Sequence, residues 1–441
     1  MGKYSKSVIC GSLKQQRLLI TLSCLFIITI SVFSSSKVHA EDLNLKQLID
    51  EALRNSPELQ ASRSRTAASE YRIPQVKTLP DPMFSFGYQN VGFQKYTYGQ
   101  DNDAWWMFSV SQTVPFPGKL SLKGDIASRE SESIYASQEA MRLKTISRVK
   151  ELYFDLYTTY KDIDLIHERT SLLNRVEDAA LSRYSTGKGS QQEVLMAQTE
   201  KYMLLEKEEM LKQKIQSLEA MLNSVIGRSA EAPLGRPADT QPSVLTHSLN
   251  DLIKIAYAQS PEIEAKNQTI AAAEAKVSLA KKDYIPDFTI TGSYFPRGND
   301  FGDMWSLQAA INIPIFYRTK QRHAENEANA LLAEARSEQE LTRLIISSAI
   351  KDNYSMVQAT DKLMALYQDG LIPKSRQDVE LALSGYMTGS VDALTVITRL
   401  KSVIDFEISY WNQFAEHEKA VAKLEAIAGL SHSTTNSQTG N

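Results

Sequence analysis

Three methionines, Met196, Met203 and Met210, recur at seven-residue intervals. Thioethers are soft ligands suited to Cu(I) or Ag(I), so a stripe of them could pass a metal along one helix face. The spacing suits packing equally well, because methionine fills irregular gaps between helices. The apolar neighbours Ala197, Leu204 and Leu211 make packing the expected role. The histidines add no second ligand set. His167, His247, His323, His417 and His432 are scattered, and neither "HERTS" nor "HEKAV" completes a two-histidine zinc pattern. No phosphate-binding glycine loop and no nucleophile-elbow spacing occur. The sequence therefore predicts no catalytic, cofactor or metal site, and the chain does not read as an enzyme.

The two cysteines, Cys10 and Cys24, lie in a leader. Lys3, Lys6, Lys14 and Arg17 precede an apolar run from Leu18 to Phe33, and Val38 and Ala40 take the −3 and −1 places of a cleavage site. Residues 1–40 thus read as a secretory signal peptide, since the run is short of the ~20 residues a membrane helix needs. Thr21-Leu22-Ser23 before Cys24 is a poor match to a lipidation site. A mature chain without cysteine has no disulfide, thiolate metal site or thiol nucleophile. The leader holds five basic and no acidic residues, so its removal takes the net charge from −3 to −8. An acidic product speaks against nucleic acid as a partner. No later stretch is apolar enough for a spanning helix, so strands must do any spanning.

The elements that would position any site come twice. "LKQLIDEALRNSPELQA" (Leu45 to Ala61) returns as "LNDLIKIAYAQSPEIEA" (Leu249 to Ala265). Pro80-Asp81 matches Pro286-Asp287, Pro115 matches Pro314, "YSTG" ending at Gly187 matches "YMTG" ending at Gly389, and Gly227 matches Gly429. We therefore divide the chain into a first repeat (41–226), a linker (227–244), a second repeat (245–429) and a polar, disordered tail (430–441). Each repeat reads as helix, hairpin, very long helix, turn and long helix. Lys119 to Gly187 contains no proline, and Lys320 to Gly389 is interrupted only around Asp369 to Ser375. At about 1.5 Å per residue such a helix would reach roughly 90 to 100 Å. Ala197, Leu204, Leu211, Leu218 and Val225, with Ile215 and Leu222 beside them, form a heptad seam.

The hairpins, 83–113 and 288–313, carry the clearest pattern. Phe84, Phe86 and Tyr88 alternate with Ser85, Gly87 and Gln89, and Trp106, Phe108 and Val110 alternate with Ser109 and Ser111. In the second repeat Phe288, Ile290 and Tyr294 oppose Thr289 and Thr291, while Trp305, Leu307 and Ile311 oppose Gln308 and Asn312. Each strand approaches the nine to eleven residues, roughly, that a tilted strand needs to cross a bilayer. The expectation is an apolar face toward lipid and a small, almost uncharged face toward a water-filled lumen of weak selectivity. Four strands cannot close a barrel, so other subunits must complete it. The competing readings are a soluble protein whose aromatic faces pack on helices and a periplasmic helical scaffold.

The duplicated unit, the "LPDPMFSFGY" strand, "VSQTVPFPGK" before a long helix, and the paired "YSTG" and "YMTG" turns together resemble the TolC family of bacterial outer-membrane efflux channels. "PDPM" and "PFPGK" look most like its branch serving heavy-metal efflux pumps. The resemblance covers essentially the whole mature chain. It implies a mainly α fold with a membrane β-barrel: a homotrimer, four strands per chain in one twelve-stranded barrel, continued by an α-helical tunnel across the periplasm. The implied partners are a periplasmic adaptor protein and an inner-membrane transporter of the resistance-nodulation-division type, and the implied cargo is heavy-metal cations, with drugs or a secreted polypeptide as alternatives. In the family the turns after the Tyr-x-x-Gly elements form the tip that the adaptor engages. Here these are Tyr184, Gly187, Gly189 and Gln192, and Tyr386, Gly389, Ser390 and Asp392. Family members often place aspartates shortly after the second element, lining a constriction. The matching places hold Thr395 and Thr398, with Asp392 three residues before the first.

Overall fold

The computed structural model describes residues 43–299 and 301–430. The expected leader with its two cysteines, and the tail beyond Leu430 with His432, lie outside the described residues. Residues 44–233 and 237–430 form one body; Leu43 and Leu234–Arg236 belong to a second unit, within which the Leu43 N–H donates to the Arg236 carbonyl at 2.8 Å.

The repeats open on two helices each, where the sequence pattern suggested one. Helix α1 (Leu45–Asn55) stops at Ser56 and α2 (Pro57–Lys77) begins at once. The second copies, α5 (Leu249–Gln259) and α6 (Pro261–Lys282), break at Ser260-Pro261 in the same way. The proline ring disfavours helical backbone in the preceding residue, and both serines are extended, with ψ of 122° and 121°. Proline is then well placed at the first position of the next helix.

Strands β1 (Met83–Gln89) and β2 (Trp105–Val114) lead into α3 (Lys119–Ser185), 67 residues without interruption, and then α4 (Gln191–Ile226). In the second repeat β3 (Phe288–Phe295) and β4 (Met304–Ile311) lead into α7 (Gln321–Ala365), a π-helical turn (Leu366–Leu371), α8 (Ile372–Thr388) and α9 (Ala393–Ala428). Pro373 explains the π turn. A proline inside a helix removes one N–H and crowds the carbonyl four residues back, and a wider turn relieves that crowding without ending the helix.

Burial follows the heptad seam only in part. Ala197, Leu204, Ile215, Leu218 and Leu222 are buried, whereas Leu211 and Val225 are half-buried. One apolar cluster joins Ile166, Leu173 and Val176 of α3 to Val194 and Leu204 of α4 and to Tyr386, Val396 and Leu400 of the second repeat. Residues 227–233 and 237–244 have no helix, yet they are fastened to the helices. Asn223 Nδ2 donates to the Ala232 carbonyl (2.7 Å), Lys161 Nζ binds Asp239 (2.6 Å), and Ser243 gives both its N–H and its hydroxyl to Glu418 (2.7 Å each).

Asp162 of α3 is 6% exposed and its Oδ1 has no hydrogen-bond partner. Burial pushes its carboxyl up from 3.8 to about 6, against the lowering pull of Lys214 and Lys207. The folded state therefore holds this proton more tightly than the unfolded state, and stability falls as pH rises from about 4 to about 6. An interval of that size is worth roughly 3 kcal/mol. Asp162→Asn should raise the thermal midpoint at pH 7.5 and leave it unchanged below pH 4; an equal change at both pH values would refute this assignment.

Candidate functional site

The four strands form one antiparallel sheet in the order β1-β2-β3-β4. Residues directly opposite each other on neighbouring strands project to the same face, so the register fixes what each face contains. Phe84, Phe86 and Tyr88 face Val110, Phe108 and Trp106; Phe108 in turn faces Tyr294, and Tyr294 faces Trp305. Leu307 lies opposite Gly292 and Ile311 opposite Phe288, with Ile290 between them on the same side of β3. All twelve apolar residues singled out in the sequence thus share one face. Most are open: Trp305 is 79% exposed, Leu307 72% and Phe86 70%.

Ser85, Gln89, Ser109, Ser111, Thr289, Thr291 and Gln308 share the other face. Ser293 Oγ donates to Ser109 Oγ across the β2–β3 seam at 3.0 Å, and Thr113 and Thr289 exchange a bond of 3.2 Å. The eighth residue expected there, Asn312, is not in a strand. Chain β4 ends at Ile311, and the Asn312 side chain instead accepts the Asp287 N–H at 2.5 Å, capping the start of β3. Prolines 286 and 314 flank this pair and end the ladder, because proline cannot donate to it. At the other end the two hairpin loops are tied together: Asn299 Nδ2 donates to the Gly99 carbonyl (2.6 Å) and Arg297 Nη1 to Asn102 Oδ1 (2.6 Å). Tyr88 stacks near Trp106 and Tyr96 (centroids 5.0 and 4.9 Å), and the Trp106 indole N–H reaches the Tyr96 hydroxyl.

The second group of candidate residues sits where α3 meets α4 and α8 meets α9. Gly187 (φ 72°) and Gly389 (φ 83°) take the left-handed conformation that lets each helix end in a tight turn. The two turns are not equivalent. Tyr386 is fully buried, its hydroxyl donates to Glu193 (2.9 Å), and the Arg183 guanidinium lies over its ring (4.9 Å) while donating to its carbonyl (2.7 Å). Burial, and then the bond to Glu193, push the Tyr386 phenol up to about 12, so it remains a donor at neutral pH. Tyr184 is 46% exposed, and the residue before it is Arg183 where the second copy has Gly385. Gln192, Ser390 and Thr398 are exposed, Gly189 and Thr395 half-buried.

Asp392 caps α9: its Oδ1 accepts the Thr395 N–H at 2.8 Å, and the hydrogen bonds from Thr395 hold its carboxyl below the usual range. Arg183 and Glu193, which lock the turns together, were not among the residues the sequence singled out. The capping pattern Ser190-x-x-Glu193 and the Arg183/Gly385 difference between the copies were the available signals.

The methionine stripe does not fill internal gaps as expected. Met196 is partly buried against the core cluster, but Met203 and Met210 are 48% and 67% exposed. His417, one of the scattered histidines, has acidic partners. It is buried, with Nδ1 3.0 Å from Glu418 and Nε2 3.1 Å from Asp361. Among the described residues no group of three or more His, Cys, Asp or Glu could hold a metal ion, and no helix is long and apolar enough to cross a membrane.

The outer membrane efflux protein profile matches residues 48–228 and 252–429, one block per repeat. The chain belongs to the outer membrane efflux protein family. This efflux protein is 23% identical to the pyoverdine export outer membrane protein OpmQ of Pseudomonas putida, over 87% of this chain and 86% of that one. It is 22% identical to the cation efflux system protein CusC of Escherichia coli K12, over 82% and 81%. The outer membrane protein VceC of Vibrio cholerae has the same fold, with a TM-score of 0.76 at 20% identity over 87% of this chain and 96% of that one. The protein is thus an outer-membrane channel component of an efflux system, in a family of transport channels rather than enzymes.

Proposed function

We propose that the chain works as a homotrimer whose four-stranded sheets close one twelve-stranded barrel, and whose helices continue it as a tunnel through the periplasm. The observation that carries this reading is the sheet. One face is almost wholly apolar and open, the other is uncharged and mixes serines, threonines and glutamines with Met83, Trp105, Met107, Phe295 and Met304, and β1 and β4 each have one edge with no neighbour among the described strands. Open strand edges are not tolerated in lipid, so further copies must share them, three in the assembly we propose. The apolar face meets lipid, the serine and threonine face meets water, and Tyr88, Trp106 and Tyr294 lie toward the outer boundary as an aromatic girdle.

The lumen face carries no charged side chain from Ser85 to Gln308, so the channel passes what it is given. Choice of cargo then belongs to an inner-membrane pump and a periplasmic adaptor that engages the turns at Gly187 and Gly389. Heavy-metal cations are the cargo we assign, in line with the similarity to CusC; the similarity to OpmQ makes an organic chelator the second reading. Asp392, Thr395 and Thr398 form the narrowest ring on this reading, with Asp392 as its acidic group.

Single cysteines at Lys95, in the β1–β2 loop, and at Ser390, in the α8–α9 turn, test the topology with a bulky impermeant maleimide. Lys95→Cys should label in intact cells, and Ser390→Cys only after the outer membrane is permeabilised. Equal protection of both sites would overturn the barrel.

A further inference from the structure

The internal duplication supplies the geometry of an interface that one chain does not contain. Shifting β1 by 206 places and β2 by 199, the offsets of Pro80/Pro286 and Pro115/Pro314, carries each β1–β2 pair onto a β3–β4 pair. Phe84 opposite Val110 becomes Ile290 opposite Ala309, and Phe86 opposite Phe108 becomes Gly292 opposite Leu307; both pairs are present. The two hairpins are therefore in identical register, and the β2–β3 seam between the repeats can be carried forward by the same shifts.

We propose that β4 of one protomer pairs antiparallel with β1 of the next in a single register, with Phe84 opposite Ile311, Ser85 opposite Ala310, Phe86 opposite Ala309 and Gly87 opposite Gln308. This deepens, and rests on, the trimer reading given above. The template pairs are Gln112 with Ile290, Ser111 with Thr291, Val110 with Gly292 and Ser109 with Ser293. In the resulting junction the apolar face runs on unbroken from Ile311 to Phe84, and the polar face from Ala310 to Ser85. A slip of one residue would turn every side chain of one strand to the wrong face.

The helices carry the same relation. Helix α3 packs along α6 and α9, whereas α7 and α8, its counterparts, meet no such pair belonging to a following repeat within the chain. With the offset of 202 set by Gly187/Gly389 and Gly227/Gly429, Ile404 and Glu407 of α9 correspond to Tyr202 and Leu205 of α4. The first two are 4% and 3% exposed, and the second two 73% and 41%. Tyr202 and Leu205 are the surface that the preceding protomer's α7 and α8 would cover.

Cross-linking in outer membranes of cells making the full-length chain, with Cys10 and Cys24 replaced by alanine, tests the register. Consecutive pairs in an antiparallel ladder alternate between narrow and wide spacing, so Ser85→Cys/Ala310→Cys and Phe86→Cys/Ala309→Cys cover both cases. The slipped controls are Ser85→Cys/Gln308→Cys and Phe86→Cys/Leu307→Cys, whose Cβ atoms lie about 7 Å apart, beyond the ~4 Å a disulfide spans.

The expected result is conversion of monomer to dimer and trimer bands for at least one in-register pair, reversed by reduction, with both slipped pairs unconverted. Conversion of a slipped pair instead would overturn the register and leave the trimer standing. Heat-resistant trimers with no pair converting would show that the strands do not meet at this junction. Monomers with no conversion would overturn the trimer itself.

Discussion

Val110→Arg should sharply lower the amount of assembled protein in the outer membrane, while Ser111→Arg, one residue along the same strand, should leave it nearly unchanged. Both positions are central in β2, and Val110 lies on the apolar face opposite Phe84 whereas Ser111 lies on the polar face opposite Met83. A cationic side chain on the lipid face near the bilayer midplane costs about 2–4 kcal/mol, and the same group in a wet lumen costs little. Every protomer of a trimer would bear that cost. The measurement is the yield of heat-resistant oligomer in outer-membrane fractions, alongside total protein. Were the aromatic face packed on helices in a soluble protein, Val110→Arg would lower total protein as well, and no heat-resistant oligomer would appear in the outer-membrane fraction for either variant or for the unsubstituted chain. A larger loss for Ser111→Arg would mean that the faces are assigned the wrong way round.

The contrast between neighbouring residues is sharp because the strand pattern is the most legible feature of the chain. Phe84-Ser85-Phe86 and Thr289-Ile290-Thr291 alternate with period two, and that period alone sorts side chains between faces. The repeat, with its paired prolines and Tyr-x-x-Gly elements, placed the helices and turns equally well, because each mark is a local backbone constraint. What stayed hidden depended on partners far along the sequence. Asn312 continued the alternation but was drawn out of β4 to cap Asp287, 25 residues earlier. The Ser-Pro breaks at residues 56 and 260 were present in the sequence, yet the repeated stretch runs across them and suggested one helix.

The paired turns show the same limit at a site. Tyr184 and Tyr386 look alike in sequence, and only the fold shows one exposed and the other buried beneath Arg183. The asymmetry is what the proposed trimer would produce from a duplicated unit. One copy of each surface finds its partner inside the chain, and the other would find it in a neighbouring protomer. Exposed Leu195 and Tyr202 on α4, whose counterparts Ile397 and Ile404 are buried, follow from that rule. No reading of one repeat in isolation could have supplied it.

Between the repeats lies the charge cluster whose loss should cost most. Glu407 of α9 is 3% exposed and accepts from Arg169 of α3 through Nε (3.1 Å) and Nη2 (2.7 Å), and from Arg376 of α8 through Nε (2.8 Å). Arg169 is itself buried, whereas the Arg376 side chain is 54% exposed. Glu407→Ala would leave the Arg169 guanidinium without its main partner, with only the exposed Glu168 (3.1 Å) to share its charge. Breaking a buried pair from one side costs about 3–5 kcal/mol, because the remaining charge is neither solvated nor paired. Arg376→Ala should cost under about 1 kcal/mol, since a partly exposed arginine contributes as a surface pair does. The double variant Arg169→Met/Glu407→Leu removes both charges and should recover most of the lost stability, as buried ion pairs replaced by apolar residues of similar volume often do. Thermal midpoints of the purified protein in detergent would separate the three cases. A Glu407→Ala midpoint close to that of Arg376→Ala would mean that water reaches Arg169 once its partner is gone, and that this cluster adds little to what the apolar contacts and the other ion pairs between the repeats, such as Lys419–Asp155, already supply.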